Sequence, residues 1–268
     1  MAELLVCADD FGLGAGIDDA VQELVEQQRL GAVSCMTNLE RWPQAGVRAA
    51  QLRGRALVGL HLNLSEGRPA SAALARRWPE LPGLPRLLVA AHLRRLPLAD
   101  IEQEIDAQWQ AFEQATGGPP DFVDGHQHVH HLPGVREFVL ARAARAGIGL
   151  RSTARTAGPA SALKRAVIER SGGRALARQA RAAGVPVNGV LLGAYGFEGD
   201  YRALMQRWLA AAPEQGGLLF CHPARQAVPA DPISLARLRE YEYLRGEAFA
   251  LDLERAGARL VRHWPQSG

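Results

Sequence analysis

Lysine is almost missing from this sequence: Lys164 is the only one among 268 residues, which leaves little room for Schiff-base or other amine chemistry. Cysteine is sparse as well. Cys7, Cys35 and Cys221 are odd in number, far apart and each set in an apolar run, with no C-x-x-C pair to suggest zinc or redox work, so they read as buried thiols. No apolar stretch reaches the ~20 residues of a membrane helix. Met1-Ala2-Glu3 passes straight into Leu4 and Leu5 with no basic leader and no small-residue cleavage site. A cytoplasmic chain with no transmembrane segment is therefore expected. The net charge of +3 and the pI near 9.0 are spread along the chain, which gives no case for a nucleic-acid partner.

What is present is a foldable alternation. Hydrophobic residues at 47% and charged residues at 22% are ordinary for a globular chain with a real core, and the length suits one domain over residues 1–268. Leu4 to Ala8 forms a short apolar run, after which Ile17, Ala20, Val21, Leu24 and Val25 recur at helical spacing. The unit repeats: strands are expected over 33–36, 56–60, 122–124, 148–150, 187–192, 218–221 and 259–261. Helices are expected over 43–52, 99–115, 135–146, 160–183 and 202–211. A Pro-, Leu- and Arg-rich stretch around 66–98 interrupts the rhythm and reads as an inserted loop or lid. Seven or eight mainly parallel strands alternating with helices predict an α/β fold, and strand count favours a closed (β/α) barrel over an open doubly wound sheet.

In such folds the functional groups sit at the C-terminal ends of the strands. There the sequence places Asp9-Asp10, His61 with Asn63, Asp124-Gly125-His126-Gln127-His128, and His222. Alone, the Asp pair could cap a helix and His61 could be a satisfied core histidine. Four of the eight histidines, however, fall between His126 and His131. In an extended segment His126, His128 and His130 would share one face, and neutral imidazole is a preferred ligand of divalent transition metals. One carboxylate with two histidines leaves coordination positions open for water and substrate. Tyr195, Phe197 and Trp78 lie in predicted loops, where aromatic faces can pack on a sugar or simply on the core. Arg174, Arg178 and Arg181 share a helical face, which is either solvated or a contact for an anionic lipid or charged glycan.

The motifs Ala8-Asp9-Asp10-Phe11-Gly12, Val58-Gly59-Leu60-His61-Leu62-Asn63-Leu64 and Asp124-Gly125-His126-Gln127-His128-Val129-His130 resemble those of the YdjC-like family, which includes chitooligosaccharide deacetylases. Cys221-His222-Pro223 is similar to its late His-Pro motif. The resemblance implies a distorted β/α barrel and one divalent metal ion, magnesium or zinc, with Asp10, His61 and His126 as ligands. It implies Asp9 as general base and His222 as general acid or substrate contact. Beside these, Asn63, Asp124, His128 and His130 at the same strand ends are candidates to orient the ligands or to touch substrate. The implied substrate is an N-acetylated amino sugar, either an oligosaccharide or, as in relatives associated with hopanoid biosynthesis, lipid-linked; a homodimer is the implied assembly. Gly14 departs from the family, where serine is common. Two rival readings use the same residues. One is a non-catalytic metal- or glycan-binding protein. The other is a non-haem iron oxygenase, whose facial triad uses the same ligand types but usually on a double-sheet β fold.

Overall fold

The structure, a computed structural model, describes residues 1–214, 216–228 and 230–265. Its strands are β1 (Ala2–Phe11), β2 (Ala32–Cys35), β3 (Leu57–Leu62), β4 (Phe122–Gly125), β5 (Gly149–Leu150), β6 (Leu191–Leu192), β7 (Gly217–Cys221) and β8 (Ala258–Leu260). The helices that alternate with them are α1 (Ala15–Glu26), α2 (Trp42–Leu52), α3 (Ala72–Arg77), α4 (Leu84–His92), α5 (Leu98–Thr116), α6 (Arg136–Ala146), α7 (Ala162–Ile168), α8 (Arg174–Ala182), α9 (Tyr201–Ala211), α10 (Ser234–Arg245) and α11 (Glu247–Arg255).

Every strand pairing is parallel. The order is β5-β4-β3-β2-β1-β7-β6, with β8 joining the start of β1. β1 is the hub, and its Leu4 to Ala8 run is buried on both faces, as expected of a parallel strand covered by helices on one side and barrel interior on the other. The sheet curls until its edge strands nearly meet. Between them the described residues form only the single bridges Leu150–Val187 and Thr156–Leu191. This short closure is the distortion of the barrel, and it explains why the strand expected over 187–192 shrinks to Leu191–Leu192.

Outside the sheet, α1 buries Ile17, Ala20, Val21, Leu24 and Val25, the face its periodicity predicts. The stretch around 66–98 is not an irregular loop, since it holds α3 and α4. The basic region over 160–183 is two helices separated by a wide turn at Glu169–Gly173. Arg174, Arg178 and Arg181 are all exposed on α8. All three cysteines are free and buried.

Candidate functional site

Neighbouring residues on a strand normally point to opposite faces, yet Asp9 and Asp10 both line one cavity of about 470 Å³ at the C-terminal mouth of the barrel. The pairing of β1 with β2 shows how. Ala8 faces Val33 and Phe11 faces Cys35, so the register slips between them in a bulge. Asp10 takes a left-handed φ of 67°, a strained backbone state for a non-glycine residue of the kind that concentrates at functional sites. Gly12 follows with φ 97°, where an added Cβ would lie 2.9 Å from the Met36 carbonyl oxygen. Its N–H donates to Asp18 Oδ1 at 2.7 Å, tying the bulged strand end to α1.

Asp10 meets two imidazoles. Its Oδ1 lies 3.3 Å from His61 Nε2 and 2.9 Å from His126 Nδ1. One ligand atom from each of the three residues falls within 4.8 Å of the others. All three are buried, so the resemblance-implied ligands converge although they are separated by up to 116 positions. The donor set of one carboxylate and two imidazoles is what a divalent metal requires with positions left open, and the residues present fit such an ion.

Electrostatics agree with a cation there. Burial alone would lower His61, but Asp124, Asp9 and Asp10 overcome it and push its pKa up to about 10. Burial likewise opposes charge on His126, and Asp10 with Glu66 raises it to about 9. Desolvation works against an ionised Asp10, yet Arg237 and the imidazoles hold its carboxyl well below the usual range. Arg237, from α10, spans Asp10 Oδ2 at 2.7 Å and Asp231 at 2.5 Å.

Asp9 lies beside this group and does not join it. Arg151, immediately after β5 and fully buried, grips both its oxygens at 2.6 Å and reaches Asp124 Oδ2 at 2.5 Å. Cys7, Asp9 and Asp124 could otherwise look like a second metal group, but the guanidinium supplies the positive charge they share. Asp124 also bonds His61 Nδ1 at 2.6 Å and accepts from Ser34 Oγ.

The histidine run is not extended. His126–His131 forms a tight 3₁₀ turn with left-handed Gln127 (φ 51°) and His128 (φ 63°), so the strand alternation expected of His126, His128 and His130 is absent. His130 Nε2–H donates to the Arg151 carbonyl at 2.9 Å, and burial drives this imidazole down to about 3. His131 bonds Thr153 and Ser171 at 2.7 and 2.9 Å. His128 lines the cavity, edge-on to Phe220. His222 lines it as well. Its backbone N–H donates to buried Glu240 at 2.5 Å, its Nδ1 lies 3.8 Å from the same carboxylate, and Phe197 and Phe220 pack against its ring.

Asn63 is drawn back from the cavity into the turn after β3, where its amide bonds the backbone of Ser65 and Glu66. Tyr195 and Phe197 line the cavity, whereas Trp78 packs on the core. Lys164 reaches from α7 over the Phe197 ring, 5.2 Å from its centroid, and donates to the Tyr195 carbonyl. Sequence reasoning missed Arg151, Arg237, Glu66, Ser34 and Glu240. Of these only Arg151 carried a usable signal, an arginine at the C-terminal end of an expected strand.

A chitooligosaccharide deacetylase of Enterobacter sp. (strain 638) is 32% identical over 155 residues, which is 55% of this chain and 58% of the relative. Another, from Salmonella schwarzengrund (strain CVM19633), is 37% identical over 159 residues with the same shares. The chain thus spans 58% of the length of these curated relatives. Among solved structures, an Enterococcus faecalis V583 protein named for cellobiose-phosphate cleavage superposes with a TM-score of 0.71 at 19% identity, covering 97% of both chains. The Bc1960 peptidoglycan N-acetylglucosamine deacetylase superposes at 0.50 with 11% identity, covering 99% of this chain and 89% of that one. At those identities what is shared is the fold, and it is not the double-sheet β fold of the iron-oxygenase reading. The sequence model of the YdjC-like protein family matches residues 3–255, and the chain belongs to that family.

Proposed function

We propose that this chain removes the N-acetyl group from N-acetylglucosamine-containing sugars, with one divalent cation, magnesium or zinc, held by Asp10, His61 and His126. The observation that carries this reading is the bulge in β1, which sets two carboxylates side by side in one cavity and gives them different partners. Asp10 faces two imidazoles; Asp9 faces an arginine. The names of the two curated relatives support the same chemistry. A cation bound there supplies Lewis-acid polarisation of a carbonyl and acidifies water.

The chain's own residues supply the rest. Asp9 takes the proton of the attacking water, using the lone pairs that its two-pronged contact with Arg151 leaves free. Arg151 fixes the direction in which that carboxylate points. His222, which lines the same cavity, gives a proton to the departing amine, which is too poor a leaving group as an anion. Tyr195 and Phe197 offer aromatic faces to a sugar ring. A pure binding protein needs the cation site but has no use for a second carboxylate held next to it.

The cavity wall also includes Leu84, Val167, Ile168, Pro232 and Ile233. That apolar side favours, as a second reading of the substrate, an amino sugar carrying an apolar group such as a lipid. The test is acetate release from N-acetylglucosamine oligosaccharides and from a lipid-linked N-acetylglucosamine, with and without chelator and with added zinc or magnesium, using Asp9→Asn as control. Release that requires both metal and Asp9 supports the deacetylase. No release from either substrate by metal-loaded protein would leave a binding protein.

A further inference from the structure

We propose that Glu66 is a positioning residue for the cation site: by accepting the Nε2–H of His126 it selects the tautomer whose Nδ1 lone pair faces the ion. His126 then ligates through Nδ1, and His61 through Nε2. The inference rests on the metal reading of the site and is independent of which substrate the protein acts on.

The distances single out these atoms. Two ligand atoms about 2.0–2.2 Å from one ion, at right-angled to tetrahedral spacing, are separated by about 2.8–3.6 Å. Asp10 Oδ1 lies 2.9 Å from His126 Nδ1 and 3.3 Å from His61 Nε2, so both nitrogens stand where co-ligands of that oxygen would. The remaining nitrogen of each imidazole points away from Asp10 to another carboxylate. His61 Nδ1 is 2.6 Å from Asp124 Oδ1, and His126 Nε2 is 2.9 Å from Glu66 Oε2. A carboxylate behind a histidine ligand is the usual device for fixing its tautomer and raising its basicity. Here the device occurs twice, in opposite ring orientations.

Glu66 is also held in place by built structure. Asn63 Oδ1 accepts from the backbone N–H groups of Ser65 and Glu66, each at 3.1 Å, and its Nδ2 donates to the Glu66 carbonyl at 2.7 Å. Asn63 is itself buried and locked by Gln108, which accepts from its backbone N–H at 3.0 Å and donates to its carbonyl at 2.6 Å. The His61-Leu62-Asn63 spacing thereby serves both imidazoles: His61 directly, and His126 through the turn that Asn63 clips. Glu66 remains half-exposed, with 48% of its side chain accessible, whereas Asp124 is fully buried. The Glu66 contact is accordingly expected to be the weaker of the two, at the low end of the 10–100-fold range such partners contribute to metal affinity.

The experiment is zinc titration calorimetry of the full chain and its Glu66→Ala, Glu66→Gln and Asn63→Ala variants, with ¹⁵N-histidine NMR of the zinc-loaded protein. The expected spectrum shows His126 metal-bound at Nδ1 and protonated at Nε2. Glu66→Ala weakens zinc binding about tenfold, Glu66→Gln recovers most of that because its amide oxygen still accepts, and Asn63→Ala moves in the same direction as Glu66→Ala. Metal on Nε2 of His126, or unchanged affinity in Glu66→Ala, overturns the assignment. So does a Glu66→Gln variant as weak as Glu66→Ala, which would make Glu66 a charged ligand. Failure of the wild type to bind zinc or magnesium would remove the cation site itself, whereas zinc binding without acetate release would leave this inference standing and remove only the deacetylase.

Discussion

Arg151 Nη1 and Nη2 each lie 2.6 Å from an oxygen of Asp9, so a buried guanidinium from the end of β5 fixes a carboxylate from the end of β1, 142 positions earlier in the chain. The same Nη2 reaches Asp124, which supports His61. The proposed general base and the carboxylate behind the proposed ligand His61 therefore share one guanidinium.

Replacing that fork tests its role. Arg151→Ala would strand two buried carboxylates, at a cost of about 3–5 kcal/mol, and risks unfolding. Arg151→Lys keeps the charge but cannot make the planar two-pronged contact. The expected result is a folded protein with kcat reduced about 10²-fold or more, as for misplaced catalytic groups generally. If Arg151 acts through Asp9, the Arg151→Lys/Asp9→Asn double variant should be no slower than Asp9→Asn alone. A further large loss in the double variant would give Arg151 a separate task.

Metal uptake should release protons. His61 and His126 are raised to about 10 and about 9 by the surrounding carboxylates, so both are protonated at neutral pH until a cation displaces a proton from each. Apparent affinity should therefore climb with pH through the neutral range and level off above about pH 9–10. Calorimetry in buffers of different ionisation enthalpy should count close to two protons per ion at pH 7. For the chelated protein the sign is opposite. A histidine raised above its unfolded value near 6.5 contributes stability that is fully present below that pH, and it is lost as pH rises through the folded value. Chelated protein should thus lose stability between about pH 6.5 and 10, as read by denaturant unfolding.

Gly14 is a site for stabilisation. It occupies the N-cap of α1 with extended φ −160° and ψ 149° and has no side chain to cap the helix. An added Cβ there would meet Val228 at 3.5 Å and Ile17 at 3.9 Å, ordinary contacts. Gly14→Ser should therefore raise stability by a few tenths of a kcal/mol, seen as a higher denaturant midpoint with an unchanged slope. A lower midpoint would mean that the packing of Val228 and Ile17 around this position does not tolerate the hydroxyl.

The sequence by itself determined the class of fold, because hydrophobic periodicity and strand-ending polar residues are local signals. Apolar Leu4–Ala8, the helical spacing of Ile17 to Val25, and the family motifs around Asp10, His61 and His126 can all be read without coordinates. What the tertiary structure alone decided is how partners meet. No local pattern says that Asp9 belongs to Arg151, that Arg237 of α10 faces Asp10, or that Glu240 sits behind His222, because each contact joins residues from different elements. Nor could alternation predict the bulge that turns both aspartates toward one cavity or the 3₁₀ turn that replaces the expected extended run of His126, His128 and His130. Both place residues in left-handed backbone states, and such strain persists only because contacts from the rest of the fold hold it.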